Sequence, residues 1–401
     1  MRVGVGYSDN PDTIMAGKRA AAGALKEAGR SHPCDLVLLF STARHEPRAL
    51  RSAVASVLGP KPPIIGGGSV GAITNDSFGY AGCQVILAAI WLEDVQCEIL
   101  TQGGLDRGEE RAGLELGRKL AALDLADTSP VMLFYDAINR SQGDLRLIMA
   151  TPLLQGLERG LGFLPALVGA GLMADYACSP YWQWTGNDLD QHNALALTFS
   201  GNIRLDSIIM HGCHPGTGYF TVTKADRQVI LEINGQPALP FLDRLLGGSI
   251  RIEDYPFFLI LGVNNEDKWA PFKEESYASR LCLGLDPERG GLVMFEPDMV
   301  EGTEFQIMYR SLGLDYIPPK VTALFDRLDG RRPVFATYIN CAGRAAGHAG
   351  LDIEDAVIIQ REIAGRVPLL GLYTGVEIAS VRGRPRGLDW TGVLTLFSEA
   401  P

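Results

Sequence analysis

Histidine and cysteine come together at one place in this chain. His211, Cys213 and His214 lie in one short segment, and Pro215 follows directly. Imidazole and thiolate groups bind iron, copper or zinc, and the proline restricts the backbone around His214. The spacing does not match the standard zinc patterns, whereas a single imidazole on a heme iron needs only an apolar pocket. His214 is therefore the candidate metal ligand, with a hydrogen-bonded loop histidine as the alternative.

A glycine-rich segment in the N-terminal part is the second candidate site. Gly66, Gly67 and Gly68 precede Ser69 and satisfy the spacing of a dinucleotide-binding loop, but the helix pattern that such a loop requires does not follow. Glycines recur at the corresponding place in two later segments. They predict a tight turn whose backbone N–H groups face a small anionic ligand. Plain turn geometry explains the same residues.

A third candidate site lies near the C-terminus. Arg344 and Glu377 each follow a predicted strand. A fixed guanidinium and a carboxylate suit the two charged ends of an amino acid, although a structural salt bridge between them explains the residues as well. With Tyr373, the glycine segment 66–71 and the junction at Cys213 and His214, they are predicted to form one ligand-binding cleft.

Cysteine chemistry is the remaining possibility that the residues raise. The seven cysteines are scattered and form no C-x-x-C pair, which argues against a disulfide framework and a structural zinc site. Cys213 beside His214 and Cys341 are candidate thiolates, and a cysteine-dependent enzyme is therefore an alternative. Adjacent residues of an extended segment point in opposite directions, which disfavours the first pair.

Composition limits the classes of function. At 401 residues, with 46% hydrophobic and 21% charged residues, the chain is expected to fold into about two domains. Its net charge of −11 makes nucleic acid and anionic membranes poor partners. No segment resembles a signal peptide or a membrane span. These features predict a cytoplasmic protein.

One pattern of elements occurs three times and must position these residues. Each copy has an apolar strand, a helix, a second strand that starts near a proline and contains glycine, and a last apolar strand. The first strands are 36–40, 131–135 and 334–339; the helices are 47–58, 145–161 and 353–364; the last strands are 84–91, 194–199 and 391–397. A helical crossover favours parallel pairing of the first two strands, and the last strand can pair antiparallel. We predict an α/β fold of repeated strand-helix-strand-strand units that form mixed sheets in two closely packed domains, 1–210 and 211–401.

The order of short motifs resembles the FIST sensory family over essentially the whole chain. The motifs are VGVGYS at 3–8, PIIGGGSVG at 63–71, GCHPG at 212–216, NGQPA at 234–238, NCAGR at 340–344 and PLLGLYT at 368–374. Two features depart from the family pattern: a Val separates the usual Gly-Glu pair at 375–377, and Leu-Asp-Trp-Thr at 388–391 replaces an Asn-rich turn. The chain thus resembles a subgroup of the family.

The resemblance implies a small-ligand sensor of bacterial signal transduction that is not an enzyme. Stand-alone FIST proteins include heme-containing nitric oxide sensors that act on histidine kinases or cyclic-di-GMP enzymes. Heme with His214 as its axial ligand is therefore the favoured expectation, and an amino-acid or metabolite sensor without heme is the alternative. The resemblance is also compatible with a homodimer.

Overall fold

Three units of like topology and one inserted barrel make up the protein. The structure, a computed structural model, describes residues 1–31, 33–141, 143–248, 250–311 and 313–400. Unit one spans the first strand to Trp91. Its elements are β1 (Arg2–Ser8), α1 (Thr13–Ala28), β2 (Leu36–Ser41), α2 (Pro47–Leu58), β3 (Ile64–Gly68), β4 (Gly71–Ile73), β5 (Phe78–Tyr80) and β6 (Val85–Trp91).

Unit two repeats this order and adds a short hairpin before its second helix. Its elements are β7 (Gln96–Gly103), α3 (Glu109–Leu120), β8 (Pro130–Asp136), β9 (Ile138–Asn139), β10 (Arg146–Leu147), α4 (Ala150–Leu161), β11 (Ala166–Leu172), β12 (Gln183–Gly186), β13 (Leu189–Asp190) and β14 (Asn193–Ser200). The predicted helix at 145–161 was wrong at its start. Residues 146–147 pair with β9 instead, and Glu296 accepts hydrogen bonds from the first backbone N–H groups of α4.

Unit three is interrupted by the barrel. It begins with β15 (Arg204–Met210), and the chain then enters the inserted barrel. The barrel elements are β16 (Cys213–Pro215), β17 (Phe220–Asp226), β18 (Val229–Ile233), β19 (Gln236–Pro237), α5 (Ala238–Leu246), β20 (Ile260–Asn264), β21 (Tyr277–Asp286), β22 (Gly291–Met294) and β23 (Glu304–Arg310). Pairing of β20 with β23 closes the barrel.

The chain then returns to unit three. The remaining elements are α6 (Ile317–Asp326), β24 (Arg332–Cys341), α7 (Ala346–Ala349), α8 (Asp355–Ile363), β25 (Leu369–Thr374), β26 (Val376–Val381), β27 (Arg384–Leu388) and β28 (Gly392–Glu399). The predicted division into 1–210 and 211–401 stays a prediction.

The three principal sheets share one strand order. They run β1-β6-β2-β3-β12-β13, β7-β14-β8-β11-β26-β27 and β15-β28-β24-β25-β4-β5. In each, the two strands joined by the predicted helix are parallel, and the last strand pairs antiparallel with the first of them. The mixed α/β fold and the equivalent positions of α2, α4 and α8 are therefore confirmed. Sequence patterns missed the helices α1, α3 and α6, which precede each predicted copy.

Each unit contributes a hairpin to the sheet of another unit. The hairpin β4–β5 of unit one pairs with β25 of unit three, and β12–β13 of unit two pairs with β3 of unit one. The hairpin β26–β27 of unit three pairs with β11 of unit two. The three sheets thereby form a closed cycle. Their inner faces share one core, in which Phe40 contacts Phe134 and Phe199 contacts Phe397, with ring centroids 5.1 and 5.6 Å apart.

The recurring glycines lie inside strands and not in turns. Gly66, Gly169 and Gly371 occupy the same position in β3, β11 and β25, opposite a residue of the parallel neighbour strand. A Cβ on Gly66 would lie 2.0 Å from the carbonyl oxygen of Leu39, and one on Gly169 would lie 1.8 Å from that of Leu133. The glycines are there because the neighbouring backbone leaves no room for a side chain.

We expect Gly66→Ala to destabilise the fold. Its φ of +132° and the contact with Leu39 both oppose a side chain, so the free energy of unfolding should fall by about 1–3 kcal/mol. Chemical denaturation measures this change. Gly218→Ala is the control, because a Cβ on Gly218 would meet no atom of the described residues within 4 Å. Equal stability of the two variants would contradict this account of the glycine repeat.

Candidate functional site

A cavity of about 330 Å³ lies where unit two, unit three and the barrel meet. It opens at the carboxyl ends of the parallel pairs β8–β11 and β24–β25, which is a common position for ligands in sheets of this kind. Ile138, Leu147 and Met173 come from unit two, and Leu281 and Phe295 come from the barrel. Most of the wall is apolar, and three charged side chains line it: Glu296, Arg310 and Asp389.

Asp389 is the acid with spare hydrogen-bonding capacity in this wall. It follows β27 and is only 2% exposed. One carboxyl oxygen, Oδ2, accepts a hydrogen bond of 2.9 Å from the backbone N–H of Leu281 in the barrel. The other, Oδ1, is buried without a hydrogen-bond partner among the described residues. Burial raises the pKa of the Asp389 carboxyl to about 7.

Two further buried acids lie beside Asp389, but both are engaged. Glu296 accepts hydrogen bonds from the N–H groups of Ala150 and Thr151, at 3.0 and 2.8 Å. Glu377 accepts one from the N–H of Thr391 at 3.2 Å. Burial raises the pKa of both carboxyls, and repulsion from Asp389 adds to the effect on the pKa of Glu377. Asp389 therefore remains the acid free to bind a ligand.

Arg310 provides the opposite charge. Its guanidinium lies 3.6 Å from the centroid of the Trp390 ring and donates to the carbonyl oxygen of Phe258 at 3.1 Å. Its Nε is buried and lacks a hydrogen-bond partner in the part of the chain that the structure describes. Burial lowers the pKa of Arg310, because a desolvated guanidinium is stabilised less than one in water.

The predicted glycine segment does not line this cavity. Gly66, Gly67 and Gly68 lie in β3, where Cβ atoms on the last two would lie 2.8 Å from Leu172 and 2.7 Å from Ala174. Ser69 is buried, and its hydroxyl donates to the carbonyl oxygen of Tyr373 at 3.1 Å. The structure thus brings Ser69 to Tyr373, as the predicted cleft requires, but it leaves no ligand space between them.

The predicted residues of unit three belong to a hydrogen-bonded network. Arg344 donates to Asp355 at 3.0 Å, to Asn340 at 3.1 Å and to the carbonyl oxygen of His211 at 2.9 Å. The hydroxyl of Tyr373 donates to Glu354 at 2.8 Å. Arg344 pairs with Asp355 and not with Glu377, so the predicted salt bridge between Arg344 and Glu377 is wrong.

The junction residues Cys213 and His214 lie apart from the cavity wall. The Cys213 thiol is buried and donates to the carbonyl oxygen of His211 at 3.4 Å. The His214 ring packs against Phe272 and Tyr309, with centroids 5.1 and 5.5 Å away, on the outside of the barrel. Both of these aromatic neighbours are substantially exposed.

These positions do not favour heme on His214. The histidine that lines the cavity is His348, whose ring centroid is 3.9 Å from that of Tyr176. Across the described ranges, no group of three or more His, Cys, Asp or Glu residues is arranged to hold a metal ion. The predicted heme stays a prediction, and no step in the proposed function depends on it.

Burial also disfavours thiolate chemistry. It raises the pKa of the Cys213 thiol to about 12 and that of Cys341, which lines the cavity, well above its usual value. A thiolate nucleophile needs a lowered pKa. The cysteine-dependent alternative therefore lacks an activated group at either position.

Sequence reasoning missed Asp389, Trp390 and Arg310. The first two stand in the segment 388–391, which departs from the usual Asn-rich turn. That departure was the available signal. Arg310 ends strand β23 of the barrel and gave no comparable signal.

Comparison with known proteins decides the family. The FIST N domain matches residues 35–236, and the FIST C domain matches residues 238–380. The chain belongs to the FIST family. FIST domains are sensory domains for small ligands. The cavity between unit two, unit three and the barrel is therefore the candidate ligand site of a FIST protein.

The relatives of this FIST protein share its full length. An uncharacterized protein of Mycobacterium bovis is 27% identical over 412 residues, which cover 99% of both chains. One of Mycobacterium tuberculosis is 24% identical over 408 residues, covering 99% of this chain and 100% of the relative. A crystal structure of cyanuric acid hydrolase from A. caulinodans aligns over 100% of this chain and 99% of its own, with 9% identity and a TM-score of 0.38, too low to support any argument. No helix in the described ranges is long and apolar enough to cross a membrane.

We expect Asp389→Asn to change how stability depends on pH. The carboxyl binds its proton more tightly in the folded protein, so its contribution to stability is present at low pH and is lost as the pH rises from 3.8 to about 7. The asparagine cannot ionise. The stability of the variant relative to the wild type should therefore rise across this window, by on the order of 4 kcal/mol.

Urea unfolding at a series of pH values measures this difference. Asp188→Asn, at an exposed position, is the matched control and should follow the wild type. Parallel pH profiles for Asp389→Asn and the wild type would show that the carboxyl of Asp389 titrates normally.

Proposed function

We propose that this FIST protein senses an amino acid with an apolar side chain, bound in the cavity between unit two, unit three and the barrel. One observation carries the proposal. Within the described cavity wall, Asp389 and Arg310 have opposite charges, and each has a buried polar atom without a hydrogen-bond partner. Buried groups of this kind are costly unless a ligand or water satisfies them.

The two charges suit the two ends of a zwitterion. The ligand ammonium donates to Asp389 Oδ1, and the ligand carboxylate accepts from Arg310 Nε. Such charge-assisted hydrogen bonds are strong in a site shielded from water. Binding of the ammonium also stabilises Asp389 as a carboxylate, which burial alone opposes.

The apolar wall selects the side chain of the ligand. Leu147, Ile148 and Leu283 line the cavity together with Val376. A hydrophobic side chain gains from burial here, at about 25 cal/mol for each Å² removed from water. A charged side chain would lose its hydration, and the cavity charges that could compensate it already bind the two ends of the zwitterion.

A ligand in this position connects two parts of the fold. Arg310 belongs to the barrel, whereas Asp389 belongs to unit three. A zwitterion held between them stabilises one position of the barrel relative to the cycle of three units. A state in which the barrel has moved loses these contacts and is disfavoured by the corresponding binding free energy. We further propose that a signalling partner, a histidine kinase or a cyclic-di-GMP enzyme, recognises this difference.

We expect the wild type to bind the apolar amino acids leucine, methionine and phenylalanine more tightly than aspartate, as measured by isothermal titration calorimetry. Arg310→Met and Asp389→Asn should each weaken binding by roughly tenfold to a hundredfold, since each removes one hydrogen bond to a charged group. Arg332→Met and Asp188→Asn are matched surface controls that should leave binding unchanged.

Three results would overturn the proposal. They are the absence of binding by any apolar amino acid, stronger binding of aspartate than of leucine, or unchanged affinity in both cavity variants. A visible absorption scan of the purified protein after incubation with heme distinguishes the amino-acid sensor from the heme sensor. A Soret band that is present in the wild type and lost in His214→Ala would favour the heme sensor.

A further inference from the structure

A second pocket, of about 220 Å³, lies beside the hairpin β26–β27 of unit three. It is formed between helix α4 and strand β27, the outermost strand of its sheet. Gln155 and Glu158 reach it from the helix, and Arg384 and Arg386 reach it from the strand. This pocket shares no lining residue with the cavity of the proposed function.

The guanidinium of Arg386 lacks a matched partner in this pocket. Its Nε is buried and has no hydrogen-bond partner among the residues that the structure describes. Its nearest carboxylate belongs to Asp298, with a separation of 3.7 Å between Nη1 and Oδ2. That distance exceeds the range of a hydrogen bond.

Asp298 is already committed to another arginine. Arg280, which is fully buried, donates to both of its carboxyl oxygens, at 2.6 and 2.5 Å. A bidentate pair of this geometry uses the favourable directions of the carboxylate. Asp298 therefore gives Arg386 a Coulombic contact, which acts to raise the pKa of Arg386, but no hydrogen bond.

The surroundings of Arg386 disfavour its positive charge. Burial disfavours its charged form, and the nearby Arg280 and Arg384 add to this effect, so the pKa of Arg386 is lowered. The second carboxylate of the pocket, Glu158, accepts a hydrogen bond from Arg384 at 2.9 Å. The pocket wall thus holds two guanidinium groups, Arg384 and Arg386, and two carboxylates, and the one nearest Arg386, that of Asp298, is engaged by Arg280.

The pair formed by Arg384 and Glu158 does not close the pocket. Both side chains are well exposed, at 61% and 37%, and exposed ion pairs contribute little free energy. An incoming anion can therefore recruit Arg384 at small cost. Two arginine side chains then face the anion, with the amide of Gln155 in the same wall as a further donor.

We propose that this pocket binds a small oxyanion, a phosphate or carboxylate group, held chiefly by Arg386 and Arg384. The inference does not rest on the amino-acid site, because it uses different residues. Arg384 and Arg386 stand two residues apart in β27, so both side chains lie on the face of the strand that lines the pocket. Pro385 lies between them in an edge strand, where its missing N–H is tolerated.

The experiment uses inorganic phosphate and succinate as probes, each titrated into the full-length protein in a non-coordinating buffer at constant ionic strength. Binding is followed by calorimetry, and the melting temperature is measured in parallel. Arg386→Gln should weaken the binding of the active probe by roughly tenfold or more, as expected for a lost charge-assisted contact. Arg382→Gln is the matched control, because Arg382 lies on the same hairpin, pairs with Glu266 at 3.2 Å and does not line the pocket.

The outcomes separate the two sources of the oxyanion. Saturable binding of phosphate alone indicates a phosphoryl ligand, and binding of succinate alone indicates a carboxylate ligand; either supports the proposal if Arg386→Gln weakens it and Arg382→Gln does not. Absence of saturable binding by both probes, or equal loss in the two variants, would overturn it. Since Arg386 has only a long contact with Asp298, a folded Arg386→Gln protein is expected, and the melting temperature without probe verifies this.

Discussion

The exchange of hairpins among the three units is the constraint on which the fold depends. Without these hairpins, the strand after the second helix of each unit, β3, β11 or β25, would have a row of unpaired backbone N–H and C=O groups along its outer side. Unpaired groups of this kind are costly when buried and promote aggregation when exposed. A hairpin from another unit pairs with that strand in all three cases. The units therefore stabilise one another in a cycle, and the shared apolar core lies inside it.

The barrel breaks the symmetry of this cycle and thereby creates the cavity. It is inserted after β15 of unit three and is held to the ring by specific polar contacts. Leu281 donates to Asp389, Arg280 donates to the carbonyl oxygen of Gly387, and Glu296 accepts from the start of α4. These contacts place charged residues of the barrel beside the strand ends of two units. The hairpin that completes the sheet of unit two thus also carries residues of both proposed sites.

Much of the fold could be predicted from local patterns, whereas the site could not. The strand-helix-strand repeats were recognisable because their strands are continuous apolar runs and their last strands follow at a similar spacing. The helices α1 and α3 were missed because their buried faces consist largely of small residues, such as Ala20 and Gly113, which give weak periodicity. Arg344, Tyr373 and Glu377 were predicted to bind the ligand, but none of them is among the described residues that line the cavity. Their hydrogen-bond partners come from distant segments, and no local pattern shows that these partners satisfy them.

The class of fold, the threefold repetition and the membership of the FIST family could be read from the sequence, because they depend on local periodicity and on short motifs. Which charged groups keep an unpaired atom among the described residues depends on the folded arrangement of the chain. No local sequence pattern distinguishes Arg344 from Arg310. Arg344 donates a hydrogen bond to Asp355, whereas Arg310 stacks on Trp390 and has no acidic partner within the described residues. Likewise Glu377 is engaged by Thr391, whereas Asp389 keeps one oxygen unpaired among the residues that the structure describes. The free energy of a buried charge depends on neighbours that only the folded chain brings within a few ångströms.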